Sequence, residues 1–296
     1  MTNDGRGLGV ALQARRSERS ARFRHRGTLS HEAHRVAKRH RKRLDAFRAP
    51  RLPNSISCRD RLVEPILAEL EIIEKTVQEW YMEVICRIPG SELIVVNDCS
   101  KDMTGEVLAR LAQKIAALRA LTTERNGGHR RALRYGFDHV IQDWVFQTDS
   151  DQQHLPSDFW TVWERRGNSD FLMGVRAKRA DGPVRVFITT VMRLANLVAW
   201  GLWIRDANCP FKLMRRQAMD KVLLRVPRDS FIPMVMLSIL CRQMKYCVKE
   251  VAVQHLARRG GEQSLSGLWK WVKVGSRCLC QLVILRARSA MGLLPV

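Results

Sequence analysis

The 296-residue sequence lacks the long apolar segment that a membrane-spanning helix needs. Crossing a bilayer takes a run of roughly 20 apolar residues. The nearest approach, residues 186–204, carries Arg193 and Asn196 in its middle. The first residues also lack the apolar core and small-residue cleavage site of a secretory signal. We therefore expect neither a span nor a secretory leader. The Arg-rich, acid-poor start leaves organelle targeting open as an alternative to a solvated basic extension.

The eight cysteines lack the spacing of a metal or redox site, because no C-x-x-C pair and no regular spacing with histidine occurs. A zinc module is therefore not expected. Most of the cysteines are predicted to be buried thiols in a reducing compartment.

Acidic residues are scarce, since 29 Asp and Glu stand against 51 Lys and Arg and give a net charge of +22. Such a surface attracts nucleic acid, anionic lipid headgroups or phosphorylated substrates, and charge alone does not choose among them. Nucleic-acid binding predicts stacking aromatics among the basic residues. The basic N-terminal segment has only Phe23 and Phe47, so no specific nucleic acid is expected.

Two segments differ in composition from the rest of the chain. Residues 1–58 are rich in Arg and Lys and poor in large apolar residues, which predicts a disordered tail because little apolar area offsets the ordering entropy. Residues 267–296 interleave Trp, Leu, Val and Ile with Lys and Arg. This composition is typical of an amphipathic helix at a membrane interface, or of an ordinary helix packed on the domain.

The central part of the chain predicts alternating helices and strands. Helices are expected at residues 69–85, 104–118 and 130–141, and strands at 92–96, 121–123 and 144–148. This alternation indicates an α/β fold with a doubly wound sheet, which binds ligands at the carboxyl ends of its strands. Polar clusters at residues 97–102 and 149–153 fall at two such ends.

The second cluster is a candidate metal site. Asp149 and Asp151 flank one residue just after a predicted buried strand, and Gln153 adds a neutral oxygen. Hard oxygen ligands in a loop suit Mg²⁺ or Mn²⁺. Taken alone, a D-x-D sequence also fits a solvated turn, and Asp98 in the first cluster also fits a turn or a helix cap.

An ordered series of motifs resembles one known family. V-N-D-C-S-K-D-M-T at residues 96–104 resembles its D-D-x-S-x-D-x-T loop, and D-S-D-Q-Q at residues 149–153 resembles its D-x-D-x-Q metal site. Further matches lie at residues 71–74, 126–136, 174–185, 206–212 and 250–264. In this order the motifs are similar to those of the family-2 glycosyltransferases with the GT-A fold, especially the polyprenyl-phosphate branch that includes dolichol-phosphate mannose synthase.

The resemblance implies a mixed, Rossmann-like sheet and a role for each matching residue. Donor nucleotide-binding residues would be Pro65, Glu69, Asn97, Asp98, Asp102 and Asn126. Metal ligands would be Asp149, Asp151 and Gln153, and the catalytic set Asp149, Asp151, Arg176 and Arg185. The acceptor phosphate would contact Arg176, Arg179 and Arg185, with Lys212, His255 and Arg258 as further candidates.

The implied reaction is an inverting, metal-dependent transfer of a hexose from a nucleotide sugar to a lipid acceptor, most simply polyprenyl phosphate. A phosphate monoester has a second pKa of about 6 and is already largely ionised at neutral pH, so no catalytic base is expected. The resemblance implies a catalytic domain at residues 59–266. We expect a cytoplasmic, peripheral location on the inner membrane face, against anionic lipids.

One segment departs from the family pattern. The family opens with an apolar strand running into P-x-Y-N-E, whereas residues 59–64 are R-D-R-L-V-E and Ala68 stands in place of the Asn. Charged residues are costly in a central strand, so either this strand is degraded, and activity with it, or the upstream reading of the gene is unusual. Besides the active transferase, a catalytically impaired donor-binding relative and a basic nucleic-acid-binding protein therefore remain as alternative functions.

Overall fold

The computed structural model of the chain describes residues 62–67, 70–177, 183–256 and 268–293. They belong to one unit, which runs from Ser55 to Val296. The predicted tail and the candidate site residues Glu69, Arg179 and Arg258 lie outside the described residues.

Strands and helices alternate along most of the described chain. The strands are β1 Leu62–Leu67, β2 Glu92–Asn97, β3 Leu118–Thr122, β4 Trp144–Gln147, β5 Phe171–Arg176, β6 Lys212–Arg215 and β7 Val248–Val253. The helices are α1 Leu70–Glu83, α2 Thr104–Lys114, α3 His129–Asp138, α4 Pro156–Glu164, α5 Pro183–Trp200, α6 Arg216–Leu224, α7 Pro233–Gln243 and α8 Leu268–Ala290, with a short 3₁₀ helix at Ile85–Arg87.

The seven strands form one mixed sheet in the order β3-β2-β1-β4-β6-β5-β7. Neighbours are parallel except where β6 pairs with β4 and β5. The predicted α/β class and the doubly wound mixed sheet are confirmed. Because β6 alone runs the other way, its first residue Lys212 pairs with Gln147 at the last position of β4.

The first strand begins after the first three residues of the charged segment 59–64 and continues through Pro65. β1 occupies the middle of the sheet, between β2 and β4, and runs from Leu62 through Pro65 to Leu67. Its sequence L-V-E-P-I-L includes Glu64 but none of the charged residues at 59–61. The prediction of a degraded strand was therefore wrong, because the backbone forms a paired strand at this position. The strand starts at Leu62 and not at Arg59, so apolar residues replace most of the charged ones. Pro65 leaves the strand without one N–H for the hydrogen-bond ladder.

Two apolar cores lie on opposite faces of the sheet. Leu93 and Val95 of β2 belong to the core under α1, α2 and α4. Ile94 and Val96 belong to the core under α3, α6, α7 and α8. Successive side chains of a strand point to opposite faces, so the E-L-I-V-V run fills both cores at once, as expected for a strand buried on both sides.

One predicted helix is too long. The expected helix over residues 104–118 ends at Lys114, and Leu118 is the first residue of β3. Leu111, Ile115 and Leu118 keep helical spacing and are all buried in the same core. The apolar period therefore continues past the end of the helix because the following turn packs against the same surface.

Gly174 in β5 lies too close to a neighbouring segment to carry a side chain. Its N–H donates to the Phe211 carbonyl at 2.7 Å, and an added Cβ would lie 2.9 Å from both Cβ and O of Phe211. We expect Gly174→Ala to lower the free energy of unfolding by about 1–3 kcal/mol, as overpacking does. Urea denaturation measures this change.

Gly275→Ala in α8 is the matched control, because an added Cβ there meets nothing within 4 Å. Alanine is the better helix former, so this variant should be neutral or more stable by up to about 1 kcal/mol. Equal loss in both variants would show that close packing at Gly174 is not the cause.

The last helix packs on the domain along one face. Leu282 and Leu285 are buried in the core under α8, and Arg286 Nε donates to the Ala199 carbonyl of α5 at 2.7 Å. Val283 and Ile284 are exposed. Within the residues described, no helix combines the length and the apolar character needed to cross a membrane.

Candidate active site

The predicted polar clusters meet at one edge of the sheet. The parallel pairs β1–β2, β1–β4 and β2–β3 place the ends of these strands side by side, and β5 and β7 end at the same edge. The antiparallel strand β6 begins there. Side chains from residues 97–102, 123–128, 149–154, 176, 206–212 and 253–255 therefore gather along this edge.

The loop after β4 is held by hydrogen bonds to two other segments and by one bond within the loop. Thr76 Oγ1 of α1 donates to the Ser150 carbonyl at 3.3 Å, and the Gln153 N–H donates to Asp151 Oδ1 at 3.2 Å. Gln153 Nε2 donates to the Leu256 carbonyl at 3.1 Å, which ties the loop to the segment after β7. These bonds fix the backbone that carries Asp149 and Asp151.

Buried polar atoms without a hydrogen-bond partner concentrate at the end of β4. Within the described part of the chain these include both side-chain polar atoms of Gln147, the Thr148 hydroxyl and Asp149 Oδ1. Buried polar groups are normally paired, so an unpartnered carboxylate oxygen indicates a place for a ligand. The described residues contain no group of three or more His, Cys, Asp or Glu suited to a metal.

The residues of this loop fit a hard divalent cation that is shared with a substrate. Asp149 and Asp151 offer carboxylate oxygens. The Gln153 amide donates to Leu256 through its nitrogen, which leaves its oxygen for a cation. Mg²⁺ is usually bound through one or two carboxylates, with water and substrate phosphate completing its shell. The number of protein ligands here matches that mode.

His154 follows this loop and was not singled out from the sequence. Its Nδ1 lies 3.2 Å from the Gln254 carbonyl, and its ring centroid is 5.6 Å from that of His255. Burial lowers the pKa of His154 to about 4, and the charge of Asp149 opposes this shift. The imidazole is therefore neutral near pH 7, and it fills space beside Asp149 without adding charge.

Arg176, at the end of β5, is bound to a buried carboxylate. Its Nε and Nη2 donate to the two oxygens of Asp206 at 2.7 and 2.8 Å. The side chains of the pair are only 6% and 2% exposed. The bidentate pair fixes the guanidinium within the cluster, since the charge of Arg176 also acts on His154.

Lys212 lies beneath this pair and is fully buried. Its ammonium donates to the carbonyls of Ala207 and Cys209. Burial lowers the Lys212 pKa, and the nearby Asp206 opposes that shift. The contacts of Lys212 indicate that it holds the 206–209 loop in place.

Asp98 holds the loop that precedes α3. It accepts hydrogen bonds from Thr123 Oγ1 and the Gly127 N–H at 3.0 Å each, and from the Gly128 N–H at 2.5 Å. Gly128 has a φ of 78°, which favours glycine. The N-G-G turn is thus fastened to the end of β2 by one carboxylate.

The other residues of this half of the edge stabilise their own loop. Asn97 is buried and accepts from the Ser100 N–H at 3.1 Å. Asp102 accepts from the Thr104 N–H at 3.0 Å, and the bonds from Thr104 lower the Asp102 pKa. A groove of about 540 Å³, lined by Asp98, Thr123 and Arg131 among others, opens beside these loops.

The remaining candidates are placed only in part. Pro65 lies within β1 and Asn126 is exposed in the turn before α3. Arg185 lies in the first turn of α5, and only its backbone is described. His255 is buried just after β7. The structure thus brings Asp149, Arg176 and His255 around His154. The positions of the Arg179, Arg185 and Arg258 side chains stay predictions.

Relatives with known names are similar over part of their length. An undecaprenyl-phosphate 4-deoxy-4-formamido-L-arabinose transferase of Pseudomonas aeruginosa (strain LESB58) is 28% identical over 179 residues, which cover 60% of this chain and 51% of the relative. The chain thus spans about half the length of the curated relatives it matches.

Solved glycosyltransferase structures share the fold. Glucosyl-3-phosphoglycerate synthase from Mycobacterium tuberculosis, in complex with phosphoglyceric acid, superposes with a TM-score of 0.58 at 13% identity, over 77% of this chain and 80% of that one. A mannosyltransferase from Pyrobaculum calidifontis, in complex with GDP-Man and Mn²⁺, gives a TM-score of 0.51 at 16% identity, over 89% and 85%.

The family assignment rests on the sequence profile of glycosyl transferase family 2, which matches residues 65–223. This match spans more than half of the chain and includes the end of β1, all of β2 to β6 and the D-x-D-x-Q loop. Most of the polar edge described above lies within the same region, whereas β7 and residues 253–255 follow it. The chain therefore belongs to glycosyl transferase family 2.

Proposed function

We propose that this chain transfers a sugar from a nucleotide-sugar donor to the phosphate of a polyprenyl lipid at a membrane surface. The observation that carries the proposal is the loop after β4, where Asp149 has a buried, unpartnered oxygen beside Asp151 and Gln153. The name of the relative, an undecaprenyl-phosphate sugar transferase, supports the acceptor class.

The donor would lie across the ends of β1, β2 and β4. Asn97 and Asp98 shape the pocket for its nucleoside, while Asp102 fixes the start of α2. The carboxylate of Asp98 already accepts three hydrogen bonds, so its main part is to position the N-G-G turn with Asn126. Pro65 and Glu69 would complete the pocket at the end of β1.

Asp149, Asp151 and Gln153 would hold Mg²⁺ or Mn²⁺. The bound ion would neutralise charge that develops on the departing nucleoside diphosphate. The hydrogen bonds from Thr76 and to Leu256 keep the loop in one arrangement, so the carboxylates need no rearrangement on binding. A Mn²⁺-containing solved neighbour supports this choice of ions.

The acceptor oxygen would attack the sugar carbon without help from a base. A phosphate monoester is largely dianionic at pH 7, because its second pKa is about 6. His154 is a weak base because burial lowers its pKa to about 4, and its Nδ1 lies 3.2 Å from the Gln254 carbonyl. The chain's task is then to bind and orient two anionic substrates.

The arginines would share that task unequally. Arg176 donates through Nε and Nη2 to the two oxygens of Asp206. We therefore assign it to positioning the loop that carries Asp206 and to the positive potential of the cluster. Arg179 and Arg185, which follow β5 on the way into α5, would contact the acceptor phosphate directly. Forked guanidinium donors suit a phosphate. His255, Lys212 and Arg258 would support this side of the pocket.

The membrane surface would present the acceptor. Large apolar side chains are exposed on α5, on the loop after it and on α8. They include Leu194, Leu197, Val198, Trp203, Val283 and Ile284. Burying such residues in the headgroup region, with Lys and Arg beside anionic lipids, holds a helix at an interface. We propose a cytoplasmic, peripheral location on the inner face of the membrane, and these exposed residues support attachment to a membrane surface.

Arg185→Ala should impair use of the acceptor without impairing binding of the donor. We expect transfer to polyprenyl phosphate to fall at least about tenfold, since one charged hydrogen bond to phosphate is lost, while nucleotide-sugar affinity stays within about twofold. Calorimetric titration of the donor and a label-transfer assay measure the two effects. Arg193→Ala, about two turns further along α5, is the control. Equal loss in both variants would contradict the assignment.

The function is tested by offering a panel of labelled nucleotide sugars with polyprenyl phosphate, with and without Mn²⁺. The proposal predicts that label enters the organic phase only when metal is present. Donor binding without any transfer would instead identify a catalytically impaired relative. Transfer to soluble sugar hydroxyls as readily as to lipid phosphate would contradict the acceptor class.

A further inference from the structure

One aromatic ring is contacted by arginines from two different helices. The Arg130 guanidinium of α3 lies 4.1 Å from the Phe231 ring centroid, and the Arg277 guanidinium of α8 lies 4.8 Å from it. The Phe231 N–H donates to Gln281 Oε1 of α8 at 2.7 Å. Arg130 Nη1 donates to the Phe231 carbonyl at 3.5 Å. The ring and its backbone therefore join α3, α8 and the segment before α7.

The two guanidinium groups carry positive charge that no acidic side chain in the described part of the chain pairs with. Among the residues the structure describes, neither Arg130 nor Arg277 forms an ion pair with a carboxylate. Burial lowers the Arg130 pKa, and the neighbouring charge of Arg277 lowers it further. Two like charges held on one ring repel each other, so an anion bound next to both of them would stabilise the arrangement.

The same face of α8 continues from basic to apolar residues. Exposed residues follow one another at helical spacing along this face, namely Lys273, Arg277 and Ile284. The exposed Met291 continues the spacing just after the last residue of the helix. Leu282 and Leu285 on the opposite face are buried in the core. Basic residues followed by apolar ones suit the boundary between lipid headgroups and acyl chains.

We propose that Arg130 and Arg277, arranged on Phe231, bind the phosphate of a bilayer phospholipid headgroup. This site lies on α3 and α8 and is separate from the residues proposed for sugar transfer. Forked guanidinium donors match phosphate oxygens, and the aromatic ring fixes both side chains before the lipid arrives. The exposed Ile284 and Met291 would enter the bilayer on the same side.

The test is the binding of the full chain to vesicles at low salt, without donor or polyprenyl acceptor. We expect Arg130→Gln and Arg277→Gln each to weaken binding to phosphatidylglycerol vesicles about fivefold, the effect of one basic residue at an anionic surface. Lys114→Gln is the control. It removes one exposed charge at the end of α2, which packs on the other face of the sheet, and binding should change less than about twofold.

Equal loss in all three variants would overturn the proposal, because it would show that net charge alone drives binding. Inorganic phosphate distinguishes the source of the ligand. Displacement of the protein from vesicles by phosphate, but not by chloride at equal ionic strength, would mean that the site takes free phosphate. Two controls accompany the glutamine variants. An unchanged thermal midpoint shows that weaker vesicle binding does not come from a damaged fold. An unchanged donor affinity shows that it does not come from the site of the proposed function.

Discussion

Asp151→Ala is expected to lower sugar transfer by about a thousandfold, equivalent to about 4 kcal/mol of transition-state stabilisation. The variant should also bind the donor equally with and without Mn²⁺, because a proposed metal ligand is gone. The fold should change little, since Asp151 lies in a surface loop, where it accepts a hydrogen bond from the Gln153 N–H of the same loop. Initial rates and donor titrations at several Mn²⁺ concentrations measure both effects.

Asp143→Ala is the matched control for this variant. Asp143 is an exposed carboxylate just before β4, at the opposite end of the strand from Asp151. It should leave transfer and metal dependence unchanged. Retained Mn²⁺ dependence in the Asp151 variant would remove the metal assignment from this loop.

Asp206→Ala is expected to lower the free energy of unfolding by about 3–5 kcal/mol, because it leaves the guanidinium of Arg176 buried without its counter-charge. The side chains of this pair are 6% and 2% exposed, with a 2.7 Å Nε to Oδ2 distance. A loss of this size is a large part of the stability of an ordinary domain. Urea denaturation of the full chain measures it.

Two further variants test the reason for that loss. Removing both charges, as in Asp206→Leu with Arg176→Met, should recover part of the stability, since the buried guanidinium is gone. The recovery is incomplete because the buried Lys212 ammonium loses its nearby carboxylate and keeps only its bonds to two carbonyls. Asp220→Ala breaks an exposed pair with Arg216, whose side chains are 30% and 49% exposed, and should cost less than about 1 kcal/mol. A similar loss for Asp206→Ala and Asp220→Ala would show that burial does not set the strength of the Arg176 pair.

Helices and strands could be predicted where the pattern of apolar residues alone determines them. Residues 92–96 were correctly predicted as a strand because the run is β-branched and bounded by Pro89-Gly90 and a polar cluster. The edge containing Asn97 and Asp149 followed from the topology of such sheets. The helix end near Lys114 was missed because Ile115 and Leu118 keep the helical period beyond it.

Other features depended on contacts between residues distant in sequence. The pairing of Arg176 with Asp206 joins positions 30 residues apart, and no local pattern distinguishes a paired arginine from a phosphate-binding one. His154 was missed because its neutral state comes from burial, which the sequence does not display. The position of β1 was also missed, because the sequence does not show that the sheet pairs Pro65 with Ile94.

The central claim is transfer to a lipid phosphate whose oxygen is already ionised, and one comparison tests it most directly. Labelled nucleotide sugar and Mn²⁺ are offered with polyprenyl phosphate or with the corresponding polyprenol, which differs only in carrying a neutral hydroxyl. The account predicts labelled lipid with the phosphate and none above background with the alcohol. The phosphate oxygen is already ionised, whereas the hydroxyl must lose a proton. Asp149 and Asp151 would be engaged by the metal, and His154, with its pKa lowered to about 4 by burial, is a weak base. Equal labelling of the alcohol would contradict the account.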